Sequence, residues 1–143
     1  MARVSTYLNF PGKTEEAFTF YKSAFGTEFV GPIMRFGDMP AEAQAPGMSE
    51  AEKNMIMHIE LPILGGHMLM GTDVPPSMGR EVNVGNNTTI SLEPDTTEEV
   101  DRLYAQLSQG SVECVTPMQM PWGAYWGVCL DRYGIRWMFT VNG

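Results

Sequence analysis

Cysteine is nearly absent from this chain, with Cys114 and Cys129 the only two in 143 residues. Two thiols cannot build the disulfide framework of a small secreted domain, and their spacing matches no metal finger. On strands, reduced and half-buried thiols are expected, and a cytoplasmic compartment follows as the default. Basic residues are also few: nine Lys and Arg stand against 17 Asp and Glu, for a net charge of −8. That balance argues against nucleic acid, which needs a basic face to neutralise phosphates. No apolar run approaches the roughly 18 residues of a membrane span. The opening MARVSTYLNF lacks the apolar stretch and small-residue cleavage site of a secretory signal.

What is present suits one globular domain, 1–143, with 43% hydrophobic and 18% charged residues. Twelve methionines stand out. Methionine is adaptable and polarisable, so most are expected in the core and some along a permissive pocket.

An internal repeat organises the chain. Thr14-Glu15-Glu16 recurs as Thr97-Glu98-Glu99 and Tyr21 as Tyr104, all at one offset of 83 positions. The same offset sets strand-like VSTYLNF (4–10) near NTTISLEP (87–94). Gly26 and Gly110 follow the two helical patterns, and TEFVGPIM (27–34) and SVECVTPM (111–118) read as the next strands. Each half closes with a strand pair, MIMHIEL…HMLMG and AYWGVCL…IRWMFTV. The chain is therefore expected to be α+β, with two tandem β-α-β-β-β modules, 1–72 and 87–143, joined by a linker at 73–86. The Pro- and Ala-rich stretch 37–53 has no counterpart and reads as an inserted surface loop with a helical turn around Ser49 to Lys53.

In the first helix Ala17, Phe18, Phe20, Tyr21, Ala24 and Phe25 form a wide apolar stripe. Thr14 is expected to cap its start and Gly26 to end it in the left-handed conformation. In the second, Val100, Leu103, Tyr104 and Leu107 form the stripe, with Thr96 or Thr97 as cap. Glu15-Glu16 and Glu98-Glu99 are helix-start residues that favour the dipole, not catalytic dyads.

Strand side chains alternate between faces. Val4, Thr6, Leu8 and Phe10 oppose Ser5, Tyr7 and Asn9. Met57, Ile59 and Leu61 oppose Ile56, His58 and Glu60. Ile90 and Leu92 oppose Thr89, Ser91 and Glu93. Trp126, Val128 and Leu130 oppose Tyr125, Gly127, Cys129 and Asp131. Ile135, Trp137, Phe139 and Val141 oppose Arg136, Met138 and Thr140. Taking the more apolar set on each strand as the helix-packed face leaves Ser5, Tyr7, Asn9, His58, Glu60, Thr89, Ser91, Glu93, Tyr125, Cys129, Arg136 and Met138 on the other. A curved sheet would wrap these residues around a ligand cavity.

The motifs YLNFPGKTEEAFTFYKSAFG, FGDMP (36–40), MHIEL (57–61) and PWGAYWGVCLDRYGIRWMF (121–139) span nearly the whole chain. With the paired β-α-β-β-β units, they resemble the vicinal oxygen chelate superfamily, and more narrowly its PhnB-like, glyoxalase/bleomycin-resistance branch. That resemblance implies a curved mixed sheet around a cavity. It also implies a divalent metal held by His and Glu from the inner faces of the first, third, fifth and eighth strands. The matching positions here are Ser5, Glu60 (or His58, two residues away), Thr89 and Met138. Only the third strand offers a strong donor, since hydroxyls stay protonated and a thioether suits soft metals.

No cofactor is therefore expected; a rearranged divalent metal site at His58 or Glu60 is the alternative. His58 and Glu60, about 7 Å apart along one strand, can address one ligand. His67, beside Gly65-Gly66, reads as an exposed turn residue. Trp122 and Tyr125 are expected at a pocket rim, where flat rings suit aromatic or cationic ligands. Asp131 is expected to bond the local backbone of its turn. The expected ligand-binding residues are Tyr7, His58, Glu60, Trp122, Tyr125, Arg136 and Met138. They point to a small-molecule-binding protein, with a homodimer implied by the resemblance. The alternative is a metal-dependent glyoxalase- or dioxygenase-type enzyme.

Overall fold

The computed structural model of the chain describes residues 1–142. It divides into two compact units, Met1–Asn83 and Val84–Gly143, which part inside the 73–86 segment. Each unit is one β-α-β-β-β repeat. The first contains β1 (Thr6–Phe10), α1 (Thr14–Phe25), β2 (Met34–Arg35), a short α2 (Glu50–Lys53), β3 (Ile56–Pro62) and β4 (Met68–Asp73). The second contains β5 (Ile90–Leu92), α3 (Thr97–Leu107), β6 (Glu113–Gln119), β7 (Ala124–Leu130) and β8 (Arg136–Asn142). The sheets have the same order, β1-β4-β3-β2 and β5-β8-β7-β6. In each, the first strand pairs in parallel with the last and the other pairs are antiparallel. The repeat read from one offset is thus a repeat of topology.

The helices bury the centre of their stripes and leave Phe20, Phe25 and Tyr104 half-buried at the margins. Ala17, Phe18, Tyr21 and Ala24 of α1 are buried, as are Ile59, Leu61 and Leu69 of the strands in the same unit. Val100, Leu103 and Leu107 of α3 are buried with Leu92, Trp137 and Phe139. The Tyr104 ring meets Phe139 edge-on at 5.6 Å. Each large side chain so buried contributes about 1.5–3 kcal/mol. Gly26 ends α1 at φ 66, its N–H donating to Lys22 O, and the Thr96 hydroxyl caps α3 by accepting from Glu99 N–H.

Thr14 is not the cap of α1. It is the first helical residue, and its N–H and hydroxyl both donate to Asp73 Oδ1, at 3.0 and 2.6 Å. Asp73 Oδ2 accepts from Ile56 N–H at 2.8 Å, so one buried carboxylate at the end of β4 holds the start of α1 and the start of β3. The inserted loop does carry its helical turn. Ser49 caps α2 in a reciprocal capping box with Glu52. Glu52 also accepts from Ser77 N–H at 2.8 Å, fastening the insertion to the segment after β4.

Residues 27–33 do not form the expected strand; only Met34–Arg35 pairs with β3. Gly31 adopts φ 70, and Pro32 has no N–H to give a ladder. One bond remains along that edge, from Val30 N–H to Glu60 O.

Two irregularities decide which side chains face where. Met34 pairs with His58 but Arg35 with Ile56, so Met57 is an extra residue on β3. The bulge reverses the alternation: Ile56 turns to the helix face, 1% exposed, while His58 stays on the open face. Arg35, opposite Ile56, reaches α1 and forms a two-pronged pair with Glu15 at 2.8 and 3.1 Å.

The second irregularity lies in β6. Val115 pairs with Val128 and Met118 with Trp126, so β6 carries one more residue than β7 around Thr116–Pro117. Pro117 sits at this bulge on an edge strand, where a missing N–H is tolerated.

The faces of β7 are the reverse of those expected. Gly127 pairs with Phe139 and Cys129 with Trp137, both core residues, while Trp126, Val128 and Leu130 pair with Thr140, Met138 and Arg136. Directly opposed residues share a face. Tyr125 and Cys129 therefore lie on the helix side, and Trp126 lies on the open side.

Candidate functional site

Each sheet has one face covered by its helix and one left open. In the first unit the open face carries Tyr7 and Asn9 from β1, Met70 and Thr72 from β4, and His58 and Glu60 from β3, as the strand register requires. The Tyr7 hydroxyl lies 3.4 Å from His58 Nδ1, and His58 Nε2 lies 3.2 Å from Glu60 Oε1. The tautomer protonated at Nε2 satisfies both bonds, with Tyr7 donating to Nδ1 and Nε2–H donating to Glu60. The Tyr7 and His58 rings are 5.9 Å apart. Burial raises the Tyr7 phenol above its ordinary range, and a hydrogen bond with Thr72 opposes part of that rise. Beside this cluster, Tyr7 and Asn9 border a groove of about 460 Å³ with Arg80 and Glu81.

In the second unit the open face carries Ser91, Trp126, Val128, Leu130, Arg136, Met138 and Thr140. Arg136 Nη1 donates to Glu113 Oε1 at 3.0 Å, while its Nε is buried without a hydrogen-bond partner. A cavity of about 180 Å³ is bordered by Thr89, Val115, Val128 and Arg136, with Cys114 and Cys129 also on its wall. Trp122 projects from the β6–β7 hairpin and is 70% exposed.

The expected residues thus divide. Tyr7, His58 and Glu60 come together on one open face. Arg136 and Met138 share another, as the sequence suggests. Tyr125 does not join them: its hydroxyl donates to Asp101 Oδ1 on α3 at 2.6 Å. That carboxylate is the main cause of the rise in the Tyr125 phenol pKa. His67 is not a free turn residue either, because its Nε2 and the Thr6 hydroxyl are hydrogen-bonded at 2.8 Å. Asp131 does bond its local turn, accepting from Tyr133 and Ile135 N–H at 2.8 and 3.0 Å. It also takes the indole N–H of Trp137 at 2.8 Å.

Apolarity alone places Trp126 in the core, and the strand register places it on the open face. A signal against the core placement is present in its neighbour: a glycine inside a strand marks a close approach. A Cβ on Gly127 would come within 2.8 Å of Pro117. Met70 and Thr72 belong to the open face only because β4 lies between β1 and β3.

The residues present do not fit the divalent metal of related folds. Ser5 and Thr89 offer neutral hydroxyls and Met138 a thioether, none of which replaces imidazole or carboxylate. His58 and Glu60 bond each other, and the second ring nitrogen of His58 faces Tyr7. Among the described residues no group of three or more His, Cys, Asp or Glu is placed to hold a metal ion. No helix among them is long and apolar enough to cross a membrane.

Comparison with known proteins agrees with this architecture. Protein PA1353 from Pseudomonas aeruginosa is similar at 29% identity, with 99% of this chain and 98% of that one covered and a TM-score of 0.80. A PhnB protein from Bacillus cereus is similar at 25% identity, covering 99% and 100% with a TM-score of 0.75. Lactoylglutathione lyase from Agrobacterium tumefaciens shares the fold at 18% identity, covering 98% and 92%, with a TM-score of 0.57. No curated protein matches the sequence. Residues 4–139 match the family description "Glyoxalase/Bleomycin resistance protein/Dioxygenase superfamily". With that match across both repeats, the chain belongs to the glyoxalase/bleomycin resistance protein/dioxygenase superfamily.

Proposed function

We propose that this chain is a cytoplasmic small-molecule-binding protein, PhnB-like in type, that works without the divalent metal usual in its superfamily. The observation that carries the reading is the donor set. By the resemblance, Ser5, Thr89 and Met138 fall where related proteins carry metal ligands, and the strong donors His58 and Glu60 are 3.2 Å apart and bonded to each other. The open faces still offer binding chemistry. Tyr7, His58 and Glu60 give a polar cluster, Arg136 a cation, and Met138, Trp126 and Trp122 polarisable and flat apolar surface. The cluster in the first unit suits a polar or charged group, and the open face of the second suits an apolar or aromatic one.

A homodimer is part of the reading. At the hairpin end of edge strand β6, Met118 and Trp122 are exposed. A second copy seated on this hairpin end would take both side chains out of water and leave the start of β6 open. Light scattering after size exclusion gives the oligomeric state directly.

Elemental analysis of the purified protein tests the central claim, together with a thermal-shift screen against aromatic cations and glycopeptide drugs. Metal below stoichiometric amounts and stabilisation by one of these classes are expected. Stoichiometric Zn, Ni, Fe or Mn, lost when His58 and Glu60 are both replaced, would overturn the metal-free claim and leave the second reading. That reading is a glyoxalase- or dioxygenase-type enzyme with its site rearranged onto this pair. What favours it is the exposure of both side chains on the open face, 33% and 24%, where a histidine can act as general base.

A further inference from the structure

Cys114 on β6 and Cys129 on β7 stand directly opposite each other in an antiparallel pair, so their side chains share one face. The kind of pair follows from the backbone. Asp131 N–H donates to Ile135 O at 2.8 Å across the β7–β8 turn, which points the Asp131 backbone groups toward β8. One residue earlier, the backbone groups of Leu130 point toward β6, and its carbonyl accepts the Ser111 hydroxyl there. Those of Cys129 point toward β8 again. The two cysteines are therefore a non-hydrogen-bonded pair, the kind in which Cα atoms approach to about 4.5 Å. Disulfides span Cα separations of about 4.4–6.8 Å. The Tyr104 hydroxyl on α3 neighbours both thiols electrostatically and lies 3.5 Å from the Thr116 hydroxyl.

We propose that Cys114 and Cys129 form a reversible cross-strand disulfide when the protein meets a peroxide. The two thiols divide the chemistry by exposure. Cys114 is exposed and Cys129 is buried. The Cys114 sulfur attacks one peroxide oxygen, the O–O bond breaks, and a sulfenic acid forms as water leaves. The Cys129 sulfur then attacks the Cys114 sulfur. The S–S bond forms, the S–O bond breaks, and a second water leaves with the Cys129 proton. Two thiols lose two electrons and the peroxide gains them. Burial holds the Cys129 thiol up to about 12, so it is protonated and slow toward free oxidant. Opposed placement supplies the rate its protonation withholds. The bond would fix β6 where Glu113 holds Arg136 and Val115 borders the cavity, which brings the oxidation state to the cavity wall.

Intact-mass and peptide analysis of the full chain after hydrogen peroxide tests this. The expected product has lost two hydrogen atoms, shows neither thiol to an alkylating reagent after denaturation, and gives one peptide pair joined through Cys114 and Cys129. Dithiothreitol is expected to restore both thiols. Sulfinic or sulfonic acid at Cys114 with Cys129 still alkylatable would overturn the proposal. So would a Cys114–Cys114 bond between two chains as the main product. In Cys129→Ala the Cys114 sulfenic acid is expected to persist and be trapped by dimedone. Should that core variant fail to fold, Cys114→Ser, at an exposed site, is expected to leave Cys129 unoxidised. Oxidation of Cys129 in Cys114→Ser at the wild-type rate would count against the proposed order of events.

Discussion

The Tyr125 hydroxyl donates to Asp101 Oδ1 at 2.6 Å and so spends the polar tip of Tyr125 on the α3 side of the sheet. Tyr125→Phe is expected to lower stability by about 0.5–1 kcal/mol, the net value of one such bond near solvent. Because the Asp101 carboxylate disfavours the phenolate, Asp101→Asn should move the ionisation of one tyrosine to lower pH. Ultraviolet titration of tyrosinate reads this; unchanged profiles would place the ring elsewhere in solution.

Asp73 and Asp131 each gather donors from separate stretches of chain into a buried carboxylate, among them Thr14 N–H, Thr14 hydroxyl and Ile56 N–H for the first, and Tyr133 N–H, Ile135 N–H and the Trp137 indole for the second. Replacing either by alanine strands buried donors, at a cost of about 3 kcal/mol. Urea unfolding should show both midpoints falling together. Trp137 fluorescence should change in Asp131→Ala but not in Asp73→Ala.

Glu52 is held down to about 2 by the N–H groups of Ser77 and Ser49, against an ordinary value of 4.5. A carboxyl depressed in the folded state stabilises the fold fully above its unfolded pKa and loses that contribution as pH falls through the folded one. Stability should therefore decline between about pH 4.5 and pH 2. Glu52→Gln should flatten that decline while lowering the melting temperature at pH 7. Melting curves of both proteins across this window decide it; parallel slopes would show that Glu52 is not the group responsible.

A Cβ on Gly71 would lie 2.5 Å from the Phe18 ring, and one on Gly127 would lie 2.8 Å from the Pro117 backbone. Gly71→Ala and Gly127→Ala should each cost about 1–3 kcal/mol through forced repacking. Gly85→Ala serves as the comparison: its nearest neighbour is the Asn87 side chain at 3.8 Å, and a change within about 0.5 kcal/mol is expected.

Much of the fold was legible because its signals are local. The Phe18 and Tyr21 stripe, the Gly26 stop and the helical turn around Ser49 to Lys53 each lie within a few residues of chain. Residues 27–33 look like a strand by their apolar residues, but Gly31 at φ 70 and Pro32 without an N–H break the ladder there. The site was legible in part. On β1, β5 and β8 one face is plainly more apolar, and the open residues Tyr7, Ser91, Arg136 and Met138 follow. On β3 a bulge at Met57 turns Ile56 inward without any mark in composition.

The 83-residue repeat, the two helices and the weak donors Ser5, Thr89 and Met138 belong to the sequence alone, since offset, periodicity and side-chain chemistry need no partner to be seen. The facing of β7 belongs to the tertiary structure. Both of its faces are apolar enough to be buried, with Trp126, Val128 and Leu130 on one and Gly127 and Cys129 on the other. Pairing with β8 settles the choice, because Trp137 and Phe139 must lie under α3 and directly opposed residues share a face. The same long-range register sets Cys114 against Cys129 and Asp73 against Thr14 and Ile56. Those relationships depend on strands and loops far apart in the chain, and only the folded sheet brings them together.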